Sequence, residues 1–465
     1  MGGMNMDKKL IKVRILEKNG DLKHELNFWM QQRNEETLLL NIDTGVWKID
    51  PKYNQLFEET LDTKKMDVFV DTSLFRKLQE DDLLEIAVDD NRDNAFRLLI
   101  LETSERCNMR CKYCFEDAKT RGANMNTDTA IKAFKKFISL EACGDSICIE
   151  FNGGEALLNF EMIKKVVPQM VEGAKSAGKK IKFTIQTNGT LLTREMASFF
   201  KKYEFAVGIS IDGVGTYNDN RVYCNGAGTF DDIVKGIKLL KEYGIPYSTI
   251  SVMYELGQYD SIVELLKYTG CKEFRANLIT TIGRGENVLD INNGEFKAKE
   301  MAREYVIFIK RMLQEKRYYE ANTIYYFLGL LLWHPFMCYK EPCGAGVNQL
   351  FITSNGDVFL CQECCFIGQG KVGNVNDEKM DLVEEIQNND WFQKSQGRIT
   401  SEIEECIDCP WKRFCCTCPC KVYAECRQIE KKSIFCEFNK YLFEELIWLI
   451  HNDTEVVMDF LQYNF

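Results

Sequence analysis

Three cysteines, Cys107, Cys111 and Cys114, stand in the spacing Cys-x3-Cys-x2-Cys. Thiolates that close in one loop can ligate one iron–sulfur cluster and leave one iron open. A zinc site completed by a distant residue is the alternative chemistry. The chain of 465 residues carries 20 cysteines: this triplet, single residues at Cys143, Cys148, Cys224 and Cys271, and 13 between Cys338 and Cys436. A reducing compartment has little use for them as disulfides, so the distribution points to two metal regions. The four isolated cysteines fall on or beside expected strands and helices and are expected in the core. The three histidines, His24, His334 and His451, form no ligand spacing.

Positioning such groups needs a rigid scaffold. From Arg97, short β-rich runs alternate with amphipathic segments, the pattern of a parallel sheet wrapped by helices. Six strands are expected: 98–102, 147–151, 182–187, 206–211, 247–253 and 273–280. One intervening helix is expected over 127–140, with Ile131, Phe134 and Ile138 on one face. Six such units make an α/β fold, a partial (β/α)6 TIM-like barrel open on one side. The cysteine triplet follows the first strand, Gly153-Gly154-Glu155 the second, Asn188-Gly189 the third and Asp212-Gly213 the fourth. Loops after strand C-termini are where such a sheet places its active site.

Residues 1–92 read as a small α+β module. A hairpin turns at Asn19-Gly20, a strand pair covers 37–41 and 46–49, and helices follow around 53–61 and 73–78. The polar run 89–94 reads as a linker to a barrel over 93–318, and residues 319–465 form a cysteine-rich C-terminal domain. A net charge of −11 and a pI near 5.2 argue against a nucleic-acid partner. The start of the chain has no signal-peptide core, and the longest apolar run, Tyr325–Trp333, is too short to span a membrane and reads as a buried helix. A cytoplasmic protein without a membrane partner is expected.

The stretch Cys107-Asn-Met-Arg-Cys-Lys-Tyr-Cys-Phe115 resembles the signature of the radical S-adenosylmethionine (SAM) superfamily. The resemblance implies a [4Fe–4S] cluster whose open iron takes SAM, which is cleaved to a 5′-deoxyadenosyl radical. It further implies that Gly153, Gly154 and Glu155 receive the SAM amino group. Gln186 and Asn188 belong to a following pocket segment, as do Ser210 and Asp212. Ser210 and Arg221 reach the ribose and carboxylate, and Tyr113 packs near the adenine. Ile282-Gly283-Arg284-Gly285 also looks family-like, without a role.

Cys343-x12-Gly356-x4-Cys361, followed by Cys406-x2-Cys409-x5-Cys415, resembles the SPASM extension. That resemblance implies two auxiliary [4Fe–4S] clusters and so three in all. One would be held by Cys338, Cys343, Cys361 and a ligand near 418, the other by Cys406, Cys409, Cys415 and Cys436. Where the pattern has Cys-x3-Cys, position 419 is proline, so the ligand is Cys418 or Cys420. Cys364, Cys365, Cys416 and Cys426 are surplus. A zinc ribbon over 406–418 would leave Cys343 and Cys361 unexplained.

Enzymes of this two-part architecture act mostly on ribosomally made peptides or on proteins. The N-terminal module resembles a winged-helix-like precursor-recognition element that binds a leader as an added strand. The reading is a maturase that cross-links a precursor peptide through a cysteine thioether, fed by a flavodoxin- or ferredoxin-type donor. The second reading is sulfatase maturation to formylglycine, in which an Asp base generally follows the cysteine equivalent to Cys361; here that residue is Gln362. A third, from another class, is an electron-transfer or redox-sensing protein without SAM chemistry.

Overall fold

The computed structural model describes residues 8–60, 67–84, 94–289, 297–316, 320–332, 343–415 and 417–463. Cys338, Cys416 and almost all of the expected 89–94 linker lie outside them.

The chain opens with the hairpin β1 (Lys8–Leu16) and β2 (Leu22–Arg33). Its turn closes at Gly20, whose φ of +89° suits glycine and whose N–H donates to Glu17 O at 2.9 Å. β3 (Glu36–Asn41) and β4 (Trp47–Ile49) extend the sheet antiparallel, α1 (Lys52–Thr60) follows, β5 (Asp67–Phe69) pairs parallel to β1, and α2 (Ser73–Glu80) closes the module. The order is β4-β3-β2-β1-β5. The run Leu38-Leu39-Leu40 is explained by burial on both faces of the sheet. Leu39 joins Phe28, Phe57 and Leu74 in the module's own core, whereas Leu38 and Leu40 enter a second core with the C-terminal helices.

β6 (Phe96–Ser104), β7 (Cys143–Gly153), β8 (Lys180–Thr187), β9 (Ala206–Ser210), β10 (Tyr247–Met253) and β11 (Glu273–Leu278) pair in parallel, in chain order. The helices between them are α3 (Thr127–Ile138), α4 (Phe160–Ser176), α5 (Arg194–Lys202), α6 (Phe230–Glu242) and α7 (Gln258–Thr269), with α8 (Ala298–Gln314) after the last strand. Side-chain caps start two of them: Asn126 Oδ1 accepts from Thr129 N at 2.8 Å, and Thr193 Oγ1 from Met196 N at 3.2 Å. The buried face of α3 is Ala130, Ala133, Phe134 and Phe137. Ile131 and Ile138, expected on that face, are only partly buried, because the small alanines occupy the positions nearest the sheet.

The sheet runs on past these six units at both edges, which the local pattern did not reveal. β12 (Glu320–Ala321) pairs with β11, and β13 (Gln349–Ile352) pairs parallel to β6. β14 (Asp357–Phe359) and β15 (Lys371–Asn374) follow antiparallel, giving ten strands among the described residues. The apolar run 325–332 forms most of α9 (Asn322–Leu332), with Leu328, Leu330 and Leu331 buried. Among the described residues no helix is long and apolar enough to cross a membrane. α10 (Gln362–Phe366), α11 (Leu382–Gln387), α12 (Asp390–Gly397), α13 (Pro419–Cys426), α14 (Cys436–Asn452) and α15 (Thr454–Tyr463) complete the chain.

The N-terminal sheet is clamped to α14 and to the loop before α13. Arg33 Nη2 meets Glu444 at 2.9 Å and Glu445 at 2.6 Å, and its guanidinium lies over the Trp448 ring. Lys8 also pairs with Glu444, at 2.8 Å, and Lys412 reaches Asp43 at 2.9 Å.

Candidate active site

The loop after β6 carries Cys107, Cys111 and Cys114 and is pinned from three sides. Arg110 N donates to Val222 O at 2.7 Å and Lys112 N to Asn220 O at 3.0 Å, so the segment after β9 holds it from below. Gly154 N donates to Ser104 O at 2.9 Å, and Glu155 N to Arg106 O at 2.8 Å. That approach needs glycine: a Cβ on Gly153 would sit 2.4 Å from Ser104 O, and one on Gly154 2.6 Å from Arg106 O. The third clamp is the 282–285 segment, whose motif carried no expected role. Arg284 N and Nε donate to Cys114 O and Cys111 O at 2.9 Å each, and Nη1 meets Asp117 at 2.7 Å.

The three thiols line a cavity of about 590 Å³ together with Tyr113, Gly153, Gly154, Gln186, Asn188, Ser210 and Arg221. Gln186 Nε2 donates to Ser210 Oγ at 2.9 Å, and Asn188 Nδ2 lies 3.8 Å from Cys107 Sγ. Glu155 and Asp212 stand behind this wall. Glu155, 1% exposed, accepts from Thr187 Oγ1 at 2.6 Å, Asn188 N at 2.8 Å and Leu157 N at 3.0 Å. Burial outweighs these bonds and raises its pKa. Asp212 accepts from Tyr113 Oη and from Val252 N at 2.9 Å, and pairs with Arg221 at 3.1 Å. Burial opposes the Arg221 charge, but Asp212 more than restores it.

The pocket fits the group its motifs imply. Arg221 is buried and its Nε has no partner among the described residues, which leaves a cationic donor for a carboxylate. Burial pushes the Cys111 thiol up to about 11 and raises Cys107 and Cys114 as well, so thiolates here need a metal's positive charge.

Two further cysteine groups lie in the C-terminal third. Cys406 and Cys409 lie on one turn, Cys409 N donating to Cys406 O at 3.0 Å, and Cys436 begins α14 close enough to act on both electrostatically. Cys415 Sγ accepts from Asn439 Nδ2 of the same helix at 3.3 Å. The other group is Cys361, Cys364 and Cys420, whose sulfurs all lie within 4.8 Å of one another. Cys343, Cys361 and Cys418 line the same cavity as the first triplet. Of the isolated cysteines, Cys143 and Cys271 are buried and Cys148 partly so. Cys224 is exposed, contrary to expectation, because it belongs to the turn that braces the first cysteine loop, its N donating to Asn108 O at 3.3 Å.

Between the two cysteine walls runs a polar bridge that sequence reasoning missed. Gln362 Nε2 donates to Glu116 Oε1 at 2.8 Å, and its Oε1 accepts from Asn152 Nδ2 at 3.3 Å. Asn152 also donates to Glu150 at 3.1 Å. Burial lifts the Glu116 carboxyl to about 8. The amide at 362 serves a donor and an acceptor at once, which a carboxylate beside Glu116 could not do.

Residues 101–269 match the model of the radical SAM superfamily, and residues 343–410 that of SPASM, an iron–sulfur cluster-binding domain. An uncharacterized protein of Methanocaldococcus jannaschii is 31% identical over 60% of this chain and 89% of its own length. A cysteine-type anaerobic sulfatase-maturating enzyme of Clostridium perfringens is 26% identical over 76% of this chain and 98% of its own. The antilisterial bacteriocin subtilosin biosynthesis protein AlbA of Bacillus subtilis is 25% identical over 68% and 66% respectively. In fold, the chain is similar to Streptococcus suis SuiB bound to precursor peptide SuiA, with a TM-score of 0.54 at 16% identity, covering 86% of this chain and 96% of that one.

Proposed function

The chain belongs to the radical SAM superfamily and carries a SPASM-type iron–sulfur domain, and on that premise we propose that it is a cytoplasmic maturase that installs a cysteine thioether in a ribosomally made precursor peptide. It is an enzyme of a family whose members act in maturation. The observation that carries the reading is the shared cavity, walled on one side by Cys107, Cys111 and Cys114 and on another by Cys343, Cys361 and Cys418.

Making a C–S bond from a C–H and an S–H removes two hydrogens, one as a hydrogen atom and the other as a proton and an electron. Cys107, Cys111 and Cys114 would hold a cluster and the cavity beside them SAM, which together would supply the radical chemistry that removes that hydrogen atom. Arg221 and Ser210 hold the SAM carboxylate and ribose, and Asp212 keeps the Arg221 guanidinium in place. Glu155, acting through Asn188, fixes the pocket wall and the backbone beside Cys107. The remaining electron needs a one-electron acceptor, which an iron–sulfur centre held at the Cys361 and Cys418 wall would supply. In this reading residues 1–92 recognise the precursor, 93–318 form the barrel and 319–465 hold two auxiliary clusters, one of them at Cys406, Cys409, Cys415 and Cys436. A flavodoxin- or ferredoxin-type protein supplies electrons.

Gln362 supports this over formylglycine formation, since both ends of its amide are engaged and it offers no base. The Clostridium perfringens relative favours the second reading, and the assay separates them. The chain is reconstituted anaerobically, its iron and sulfide are counted, and it is incubated with SAM, dithionite and either a cysteine-containing precursor or a sulfatase peptide. About twelve irons per chain, deoxyadenosine formation lost on Cys107→Ala, and a precursor lighter by two hydrogens are expected. Formylglycine on the sulfatase peptide alone, or no SAM cleavage, overturns the proposal.

A further inference from the structure

The last strand of the barrel turns a charged face to the cavity. Along β11 the side chains alternate: Phe274 and Ala276 are buried in the apolar core, whereas Glu273, Arg275 and Asn277 line the cavity. Strand pairing fixes how far Arg275 stands from the SAM residues. It is in register with Ile250 of β10, and Ile250 with Ser210 of β9. Paired positions of a ladder share a face, so Arg275 lies on the same inner wall as Ser210, two strands away and about 10 Å along the sheet. Interiors of this type are filled mainly by branched apolar side chains, so an exposed arginine there calls for a reason. Among the described residues its guanidinium makes no ion pair or hydrogen bond. Arg221 and Arg284, on the same wall, are each held by an acid, Asp212 at 3.1 Å and Asp117 at 2.7 Å. The Arg275 charge acts instead at longer range on Glu150 of β7, which also lines the cavity. Glu150 is occupied elsewhere: it accepts from Asn152 at 3.1 Å, and burial raises its pKa against the pull of Arg275. The two groups feel each other without meeting, which leaves the donors of Arg275 facing open space.

We propose that Arg275 sets substrate specificity by receiving a carboxylate of the peptide, carried close to the residue that reacts. The guanidinium presents a planar fork of donors that matches a carboxylate in two parallel hydrogen bonds. Inside a cavity such a pair is screened less by water than on the surface, so it discriminates more strongly between an acid and its amide. SAM does not fill this role, because it offers one carboxylate and Arg221 stands on the motif side to take it. Two sources share the chemistry, an Asp or Glu side chain and a free C-terminus, and the test separates them. The inference rests on the peptide-substrate reading given above and names the part of the peptide that this wall selects.

The test uses the full chain, reconstituted anaerobically and loaded with SAM. The probes are pools of short cysteine-containing peptides: amidated peptides with Asp at varied positions, the same peptides with Asn, and the Asn set with a free C-terminus. Peptides retained by the chain are counted by mass spectrometry, and phenylglyoxal labelling of arginines is mapped alongside. Without peptide, Arg275 is expected to label, while Arg221 and Arg284, whose side chains are 8% and 12% exposed, stay protected. One carboxylate pool, Asp or free C-terminus, is expected to be retained about tenfold better than the neutral pool and to shield Arg275, and which pool does so identifies the source. Arg275→Gln abolishes that preference, Arg275→Lys keeps part of it, and both bind SAM as wild type does. Equal retention of all pools by wild type, a preference that survives in Arg275→Gln, or an Arg275 already shielded by SAM alone overturns the proposal. Should Arg275→Gln misfold, the wild-type retention and labelling still decide. Neither readout needs turnover, so absence of deoxyadenosine with the carboxylate preference intact sinks only the enzymatic reading. Thioether formation at equal rates on acidic and neutral peptides sinks only this assignment.

Discussion

Replacing Gly283 by alanine tests whether the segment after β11 holds the first cysteine loop in place. Gly283 has φ +61°, a left-handed conformation that costs a non-glycine residue about 1–2 kcal/mol. Its added Cβ would lie 2.4 Å from Phe115 O and 2.6 Å from Cys114 O. Ordinary contact begins at 3.4 Å, so the segment must lift by about 1 Å, and backbone oxygens cannot rotate aside. A shift of that size breaks the 2.9 Å bonds from Arg284 to Cys114 O and Cys111 O, at about 1 kcal/mol each. The sum is about 3–4 kcal/mol of local stability, which lowers amide-exchange protection in the loop by roughly two to three orders of magnitude. Hydrogen-exchange mass spectrometry of peptides covering 105–120 reads this directly. Gly178→Ala is the matched control, since Gly178 has φ +69° and nothing within 4 Å of an added Cβ. Equal loop protection in Gly283→Ala and Gly178→Ala would refute the clamp.

Asp212→Asn leaves the buried Arg221 cation without its partner, and is expected to cost about 3–5 kcal/mol in urea unfolding; a change below about 1 kcal/mol would show that the pair is not what steadies the pocket. Arg33→Ala removes contacts to Glu444, Glu445 and the Trp448 ring, and should loosen the N-terminal module by about 1–3 kcal/mol. Proteolysis within 8–84 then quickens while the barrel stays resistant. Burial works against the Glu444 charge, but Lys8, Gln31 and Arg33 prevail and hold its pKa below the usual range. Its contribution to docking is therefore present above pH about 4.3 and is lost as the pH falls through the lower folded value. Exchange protection of β2 should fall between pH 5 and 3, and should fall by less over that window in Glu444→Gln, where only Glu445 and Asp43 still titrate at the clamp.

The six central strands were legible because each is short, apolar and followed by an amphipathic helix, and local period carries that information. β10, for instance, spans 247–253 as expected. The residues of the SAM motifs were legible as types and spacing, and the fold brings Tyr113, Asn188, Ser210 and Arg221 to one cavity wall. Their support was not. Glu155 and Asp212 work from behind the wall through Asn188 and Arg221, and a motif does not show which of its members faces the cavity. The grip of Arg284 on the cysteine loop joins positions about 170 residues apart, and a local window cannot see such a pair. Cys364 looked surplus because the SPASM pattern counts spacing along the chain, whereas its sulfur meets Cys420 only after two helices have packed.

The parallel pairing of β13 with β6 sets an order of events during synthesis. β6 leads into the first cysteine loop, and its partner, Gln349–Ile352, is made about 250 residues later. Glu102, near the end of β6, likewise waits for Ser354, whose N–H it accepts at 2.9 Å. A nascent chain that has already built the barrel therefore exposes a bare strand edge and a bundle of loose thiols until the C-terminal third leaves the ribosome. At translation rates of about 5–20 residues per second, the stretch from the end of β11 to Ile352 takes about 4–15 seconds. Overproduction thus invites edge-to-edge association and thiol oxidation at this one place. Weaker induction, so that fewer such chains are exposed at once, or iron supplied after release, should raise the yield of loaded protein more than any change to the mature surface.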